Sequence, residues 1–210
     1  EEWEREDLPA IGIGDLRFVS ETLYGLYELT DKDIWREASE SVRFLKEKLE
    51  QAGSLKAWIS AVYDAVRSLG RNWKKHEYIR GIKGLGFKGI HNLLRDFGYF
   101  DMAPIDIHER RFLLRTGIAI RYGPSGGDPS DPAFYLEALR EFCKSELQGY
   151  TLLGVDLGEA LGIVDLAIWY FSCAKGSEEC KAVCSAKPKC WICPIGDYCT
   201  YHRLRSCVDP

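Results

Sequence analysis

The tripeptide Gly84-Leu85-Gly86 lies between two runs of helical periodicity, and it restricts how the surrounding chain can fold. These runs cover residues 76–83 and 87–96. Two glycines permit a tight turn between helices because they adopt backbone angles that other residues avoid. The second helix then directs unpaired N-terminal amides outward, where a phosphate can approach without meeting a side chain. The tripeptide therefore predicts a helical hairpin that binds an anion at Gly84 and Gly86.

The chain around this hairpin is basic. From Arg71 to Arg95 it has seven lysines and arginines against one acidic residue, Glu77. Such a segment suits a polyanion, and we expect Lys83 and His91 to contact its phosphates together with the glycines. An ordinary half-buried histidine is the alternative role for His91.

The net charge of −4 is unevenly distributed along the chain. Residues 1–50 have a balance of −7, and residues 51–210 a balance of +3. We therefore expect the acidic N-terminal part to face away from a polyanionic partner.

Two further residues follow the hairpin at informative positions. Lys88 lies in the first turn of the second helix, where a solvated surface lysine is the ordinary role. Asp106 begins another helix-like segment, and Glu109 three positions later completes a capping box. A carboxylate fixed at a helix start also favours positive charge that develops nearby, so Asp106 can cap a helix and take part in catalysis.

Together these residues resemble the motif of the helix-hairpin-helix DNA glycosylases. In that motif a Gly-x-Gly hairpin is followed by a lysine in the lyase members and then by Val/Ile-Asp-x-His, and here Lys88 and Ile105-Asp106-Ile107-His108 occupy those places. The resemblance implies that Lys88 is the Schiff-base lysine and Asp106 the catalytic aspartate. It implies base excision repair, in which a bifunctional DNA glycosylase and AP lyase removes a damaged, oxidised base from duplex DNA and breaks the strand by β-elimination.

Two other functions fit the same residues. In a monofunctional glycosylase Asp106 activates a water molecule and Lys88 only contacts phosphate. In a DNA-binding module without catalysis, the hairpin contacts phosphate and zinc stabilises the fold. Strand cleavage through a trapped lysine adduct separates both from the lyase.

Four cysteines cluster near the C-terminus, with gaps of five, two and five residues between them: Cys184, Cys190, Cys193 and Cys199. Clustered thiols of this number indicate a metal site, and both zinc and a [4Fe-4S] cluster suit four thiolates. We expect the site to hold a basic loop with Lys187 and Lys189 against DNA phosphate.

The segment from Cys184 to Cys199 resembles the iron–sulfur loop of the endonuclease III and adenine glycosylase branches. The resemblance implies a [4Fe-4S] cluster, although the first gap is one residue shorter than in those branches. Cys173 and Cys180 are therefore alternatives to Cys184 as the first ligand. The iron–sulfur loop favours oxidised pyrimidines as the substrate, whereas the hairpin context also resembles the 8-oxoguanine glycosylases.

Helical periodicity runs through almost the whole chain and predicts an all-α fold. Helices are expected at residues 33–50, 54–69, 132–148 and 157–173, a loop at 122–132, and an alternating pattern only at 11–18. Near the end of the last helix, Trp169, Tyr170 and Phe171 are candidates for a base pocket or for the core.

The family resemblance implies two helical lobes. We expect residues 31–105 to form the lobe with the hairpin, and residues 1–30 with 106–210 to form the lobe with the cysteine loop. No run of eighteen apolar residues and no signal-like start is present, which predicts an intracellular protein, cytoplasmic and associated with the nucleoid in a prokaryote. A monomer that acts on duplex DNA, without a membrane, is the expected assembly.

Overall fold

The computed structural model describes residues 13–173 and 182–208, and these are mostly helical, as the periodicity predicts. The chain divides into two compact units, residues 1–85 and 86–210, with the boundary inside the glycine hairpin. The lobes expected from the sequence are a different division of the chain, and they stay a prediction.

Three helices and a 3-10 turn form the described part of the first unit. They are α1 (Ile13–Thr30), α2 (Asp33–Ala52), α3 (Leu55–Leu69) and the turn Gly70–Lys75. Ser54 caps α3 by accepting a hydrogen bond from the Ala57 N–H at 3.1 Å. The alternating pattern at residues 11–18 is helical from Ile13 onward, since α1 begins there, and residues 11 and 12 lie outside the described residues.

The hydroxyl groups of Ser20 and Ser39 join α1 to α2. Ser20 Oγ donates to the Ser39 carbonyl at 3.0 Å, and Ser39 Oγ donates to the Ser20 carbonyl at 2.8 Å. Each buried hydroxyl is thus satisfied by the other helix, which removes the cost of burying it. Apolar residues of α2, α3 and the 3-10 turn form the core of the unit: Leu49, Trp58, Ile59, Val62, Ala65, Val66 and Trp73.

The prediction of a helix at residues 76–83 is wrong. These residues form consecutive turns, with Ile79 N–H bonded to the His76 carbonyl and Ile82 N–H to the Ile79 carbonyl. Gly81 lies so close to the Phe44 ring that a Cβ there would be 2.2 Å from a ring carbon. The segment before the hairpin is therefore in close contact with α2 through Phe44, and its turns do not continue into a helix.

Six helices lie in the described part of the second unit: α4 (Phe87–Asp96), α5 (Ile107–Thr116), α6 (Ile118–Tyr122), α7 (Pro132–Phe142), α8 (Leu161–Ser172) and α9 (Thr200–Val208). A π-helical turn, Cys143–Leu147, continues α7. Two short strands that the sequence did not predict, β1 (Thr151–Leu152) and β2 (Val155–Asp156), pair antiparallel before α8. Gly154 supports this hairpin with a φ of 80°.

The core of the second unit surrounds α5. It consists of buried residues from α5 to α8 and the segment before α5: Ala103, Ile105, Leu113, Ala119, Tyr135, Leu136, Leu139, Cys143, Leu161 and Ile168. Because α5 is packed on several sides, the direction of its N-terminus is fixed by the core. No helix among the described residues is long and apolar enough to cross a membrane.

Replacing Gly81 with alanine is expected to destabilise the protein by about 1–3 kcal/mol, since the added methyl group forces the Phe44 ring out of its place. The matched control is Gly25→Ala in α1, where no described atom lies within 4 Å of the added carbon. This control should gain about 0.5–1 kcal/mol from the higher helix propensity of alanine. Urea unfolding followed by circular dichroism measures both changes, and equal effects at the two positions would contradict the packing argument.

Candidate active site

One of the two hairpin glycines has the unusual backbone that the sequence predicts, whereas Gly86 is extended, with a φ of −92°. Gly84 has a φ of 71°, in the left-handed region, and Gly86 is the N-cap of α4. Among the described residues, nothing lies within 4 Å of the place where a Cβ would be at either position. The exposed Lys83 donates its backbone N–H to Ser41 Oγ at 2.9 Å, which leaves its side chain out of that contact.

His91 is buried in the second unit, with 3% of its surface exposed. Its Nδ1 lies 2.8 Å from the Phe87 carbonyl, and its ring stacks on the Phe87 ring at 4.0 Å between centroids. Burial lowers the pKa of His91 and so favours the neutral ring. This geometry matches the alternative of an interior histidine, and the predicted phosphate contact stays a prediction.

Lys88 and Asp106 form an ion pair, although Asp106 lies eighteen positions after Lys88 in the chain. Lys88 Nζ lies 2.5 Å from Asp106 Oδ2. The lysine side chain is 54% exposed and the aspartate side chain 13% exposed. The amine is therefore open to solvent, while its carboxylate partner is held by the protein.

The capping box predicted at Asp106 is confirmed. Asp106 Oδ1 accepts the His108 N–H at 2.6 Å, and Glu109 Oε2 accepts the Asp106 N–H at 2.8 Å. Burial acts to raise the pKa of Asp106, but the hydrogen bonds from Glu109, Lys88 and the His108 N–H outweigh it and hold the pKa well below its usual range. Asp106 is accordingly a carboxylate with a fixed direction.

A second ion pair lies behind the first. Arg95 Nη1 donates to Asp165 Oδ2 at 2.8 Å, and the two side chains are 11% and 1% exposed. Arg95 Nη2 also donates to Asn92 Oδ1 at 2.7 Å. Asp165 Oδ1 is buried and has no hydrogen-bond partner among the described residues. Burial raises the pKa of Asp165 to about 7, against the lowering effect of Arg95.

One cavity of about 280 Å³ joins these groups. It is lined by residues of α4, α5 and α8 and the segment between α4 and α5: Lys88, Asn92, Arg95, Pro104, Asp106, Glu109, Asp165, Leu166 and Trp169. Of the three aromatic residues singled out in the sequence, Trp169 lines this cavity and is 42% exposed. Phe171 instead packs edge-on against Phe112, and Tyr170 is 61% exposed.

The cysteine loop brings its four thiols around another cavity of the second unit. Cys184, Cys190, Cys193 and Cys199 all line a void of about 20 Å³, whereas Cys173 does not. Burial, and then the charges of the other three thiols, raise the pKa of Cys193. Among the described residues, however, no set of three histidine, cysteine or acidic side chains is arranged to hold a metal ion.

Arg115 fastens this loop to the C-terminal end of α5. Its Nη1 donates to the Ser185 carbonyl at 2.6 Å and lies 3.7 Å from Cys184 Sγ, and Cys199 Sγ donates to the Arg115 carbonyl at 3.3 Å. Cys143 is buried in the core. Cys180 lies outside the described residues, so the structure does not bear on it as an alternative ligand.

Sequence reasoning missed the Arg95–Asp165 pair and gave Glu109 only a capping role. One signal for Asp165 was present, because it is the single charged residue in the apolar helix Leu161–Ser172. A lone acidic residue in a helix that is otherwise apolar is costly to bury unless it is paired. No comparable signal identified Arg95, since it lies among several exposed basic residues.

A profile of the family described as 8-oxoguanine DNA glycosylase matches residues 13–128, more than half of the chain. The match includes Lys88 and Asp106 and ends before the cysteine loop. No solved structure matches the chain significantly.

Curated proteins named 8-oxoguanine DNA glycosylase/AP lyase are similar to this chain. One from Saccharolobus islandicus is 33% identical over 118 residues, 56% of this chain and 49% of the relative. One from Aquifex aeolicus is 37% identical over 94 residues, which are 45% of this chain and 36% of the relative. One from Korarchaeum cryptofilum is 26% identical over 164 residues, which are 77% of this chain and 73% of the relative. For the first of these, the match spans about half the length of the relative.

Breaking the buried pair by Arg95→Met is expected to destabilise the protein by about 3–5 kcal/mol, because Asp165 is left buried without its cation. The loss should be smaller below the pKa of about 7, where Asp165 takes up a proton. Urea unfolding at acidic and neutral pH measures both effects. Adding Asp165→Asn should recover part of the loss, and strictly additive effects of the two substitutions would show that the residues do not interact.

Proposed function

Because the chain belongs to the 8-oxoguanine DNA glycosylase family, we propose that it excises an oxidised base from duplex DNA and then cleaves the strand as an AP lyase. The observation that carries this proposal is the ion pair between the exposed Lys88 amine and the fixed Asp106 carboxylate at the edge of a cavity. An amine and a carboxylate in contact are the groups that imine chemistry at a sugar carbon requires.

In the proposed reaction the Lys88 ammonium releases one proton to solvent, and the neutral Nζ then attacks C1′ of the damaged nucleotide. The N-glycosidic bond breaks, and the base departs with the bonding electrons and takes up a proton. Loss of the protons from the nitrogen and opening of the sugar ring give an imine between Lys88 and C1′. Removal of a proton from C2′ then expels the 3′ phosphate by β-elimination, and water releases Lys88 from the sugar.

Asp106 has two tasks in this scheme. Its ionised carboxylate stabilises positive charge that develops on the sugar as the base leaves. It also holds the Lys88 amine in place, and the backbone N–H of His108 keeps the carboxylate aligned at the start of α5. Precise alignment matters because the amine must approach one carbon atom from one side.

The cavity behind the pair is the proposed pocket for the flipped base. Extrusion from the duplex exposes both faces of a base, and the half-exposed Trp169 ring offers a surface on which one face can stack. Leu166 adds an apolar wall, while Asn92 and Asp165 supply polar atoms. An 8-oxoguanine is the substrate that the family membership favours.

Duplex DNA is the proposed partner, bound by a monomer. Gly84 and Gly86 leave the amides at the start of α4 open to a phosphate, and the exposed Lys83 adds positive charge. His91 supports Phe87 at the start of α4, so its proposed contribution to DNA binding is through the shape of that turn. In a prokaryote, the corresponding location is the cytoplasm, at the nucleoid.

We further propose that Cys184, Cys190, Cys193 and Cys199 hold a [4Fe-4S] cluster. All four thiols line one void, and four thiolates are a complete ligand set for such a cluster, with zinc as the alternative. The similarity of the loop to that of the endonuclease III branch favours the cluster. The guanidinium of Arg115 near Cys184 Sγ suits a thiolate. When bound, the cluster supplies a rigid cross-link for the loop, and no step of base excision passes through it.

Borohydride reduction tests the lysine assignment. Incubated with a duplex that contains 8-oxoguanine or an abasic site, the protein should form a covalent adduct that Lys88→Gln abolishes, because only an amine forms the imine that borohydride reduces. Lys144→Gln, at an exposed lysine of the π-helical turn, is the matched control and should trap normally. Normal trapping by Lys88→Gln would overturn the assignment.

The same assay separates the two other functions. Release of the base without a trapped adduct or strand cleavage indicates a monofunctional glycosylase in which Asp106 activates water. Binding of the duplex without base release from 8-oxoguanine, thymine glycol or uracil indicates a module without catalysis. Each result excludes the lyase chemistry proposed for Lys88.

Spectroscopy tests the cluster. The purified protein should absorb in the visible range and contain iron and acid-labile sulfide, and Cys184→Ser should lower all three. Cys173→Ser is the matched control, because Cys173 lies outside the void and should leave them unchanged. Zinc without visible absorption would contradict the cluster, and a loss with Cys173→Ser but not with Cys184→Ser would transfer the first ligand to Cys173.

A further inference from the structure

Three carboxyl groups and two cations share the wall of the proposed base pocket. The carboxyl groups belong to Asp106, Glu109 and Asp165, and the cations to Lys88 and Arg95. Glu109 and Asp165 are each 1% exposed, so water does not solvate their charges. The protonation of these groups therefore depends on the partners that the protein gives them.

The two cations are each used by a different carboxylate. Lys88 pairs with Asp106 at 2.5 Å, and Arg95 pairs with Asp165 at 2.8 Å. Glu109 has no ion pair among the described residues. Glu109 Oε2 instead accepts a hydrogen bond from a neutral donor, the Asp106 N–H, at 2.8 Å. A buried carboxylate without a cation is costly, and retaining its proton removes that cost.

The electrostatic surroundings of Glu109 also favour its protonated form. Burial, the hydrogen bond between its side chain and that of Asp106, and the charge of Asp165 raise its pKa to about 9. As a neutral acid, Glu109 can accept the Asp106 N–H with one oxygen and donate its O–H to the Asp106 carboxylate. A glutamate that is ionised could only accept.

We propose that Glu109 is a positioning residue that retains a proton at neutral pH and thereby keeps Asp106 ionised and aligned against Lys88. This inference rests on the proposed lyase function, and it assigns Glu109 a task beyond capping α5. When Glu109 loses its proton to solvent at alkaline pH, Asp106 loses a donor and gains a negative neighbour. Asp106 is then held less firmly in the direction that places it against Lys88, so we expect the amine to be aligned less well and trapping to slow.

All charged groups that face Glu109 in the cavity affect its protonation. Lys88 and Arg95 come from α4, Asp106 from the start of α5, and Asp165 from α8. Of these, Asp106 raises the pKa of Glu109 through the hydrogen bond between the two side chains, and Asp165 raises it through its negative charge. Removing it should therefore let Glu109 ionise at a lower pH.

The test is the pH profile of borohydride trapping on an abasic duplex under single turnover, from about pH 6 to about pH 10. Each protein is compared with itself at the two ends of the range. In the native protein the trapping rate should stop rising and fall as pH passes about 9. In Glu109→Gln, whose amide donates and accepts at every pH, the rate should continue to rise, and identical profiles for the two proteins would overturn the proposal.

Asp165→Asn is the second variant. It removes the negative charge beside Glu109 and leaves Arg95 unopposed, so the fall in trapping should move to a lower pH than in the native protein. A fall at an unchanged or higher pH contradicts the role of Glu109. This variant keeps the acid itself, and it therefore remains informative if Glu109→Gln does not fold.

Thermal unfolding provides a measurement that does not require activity. An unfolded glutamate releases its proton near 4.5, whereas folded Glu109 retains it to about 9, so the folded state binds the extra proton between these values. The contribution of Glu109 to the stability of the folded state is fully present below pH 4.5 and is lost as the pH rises to about 9. The midpoint temperature of unfolding should accordingly fall less with rising pH in Glu109→Gln than in the native protein. An equal dependence of the midpoint on pH in the two proteins would count against the proposal.

Failure of the two proposals can be told apart. If the native protein traps no abasic DNA at any pH, the lyase function is wrong, whatever the unfolding slopes show. If it traps DNA and the variants have its pH profile and its unfolding slope, the lyase function stands and the role of Glu109 is wrong.

Discussion

The N-terminus of α5 (Ile107–Thr116) is the point on which the site depends. Asp106 caps this helix and also accepts the Lys88 ammonium from α4 at 2.5 Å, so one carboxylate joins two helices. A capping carboxylate has little rotational freedom, because its oxygens are directed by backbone N–H groups. The lysine, which is half exposed, thereby acquires a defined partner and a defined direction, and the proposed chemistry needs both.

The buried charges behind Asp106 explain why its carboxylate remains ionised. Arg95 pairs with one oxygen of Asp165, Lys88 pairs with Asp106, and Glu109 has neither cation. Burying three carboxyl groups beside two cations costs the least free energy when the carboxyl without a cation stays protonated and donates a hydrogen bond to its neighbour. The charged groups of the cavity therefore come from α4, the start of α5 and α8.

The same helix connects the site to the cysteine loop. Asp106 lies at the N-terminus of α5, while Arg115 near its C-terminus holds the carbonyl of Ser185 and lies beside Cys184 Sγ. Since α5 is packed in the core of its unit, the loop rests on an element whose other end carries the proposed catalytic carboxylate. A cluster in the loop can thus support the fold of the unit without contact with a substrate.

The sequence by itself determined the elements that depend on local chemistry. The helical periodicity, the capping box of Asp106 and the helix that begins after Gly86 all follow from residues close in the chain, and the family pattern added the pairing of Lys88 with Asp106. The tertiary structure alone decided that residues 76–83 form turns, in which Gly81 lies against the Phe44 ring. It also decided that Asp165 pairs with Arg95 in the site and that Glu109 is buried there without a cation, because burial and the pairing of α4 with α8 depend on contacts between residues distant in sequence.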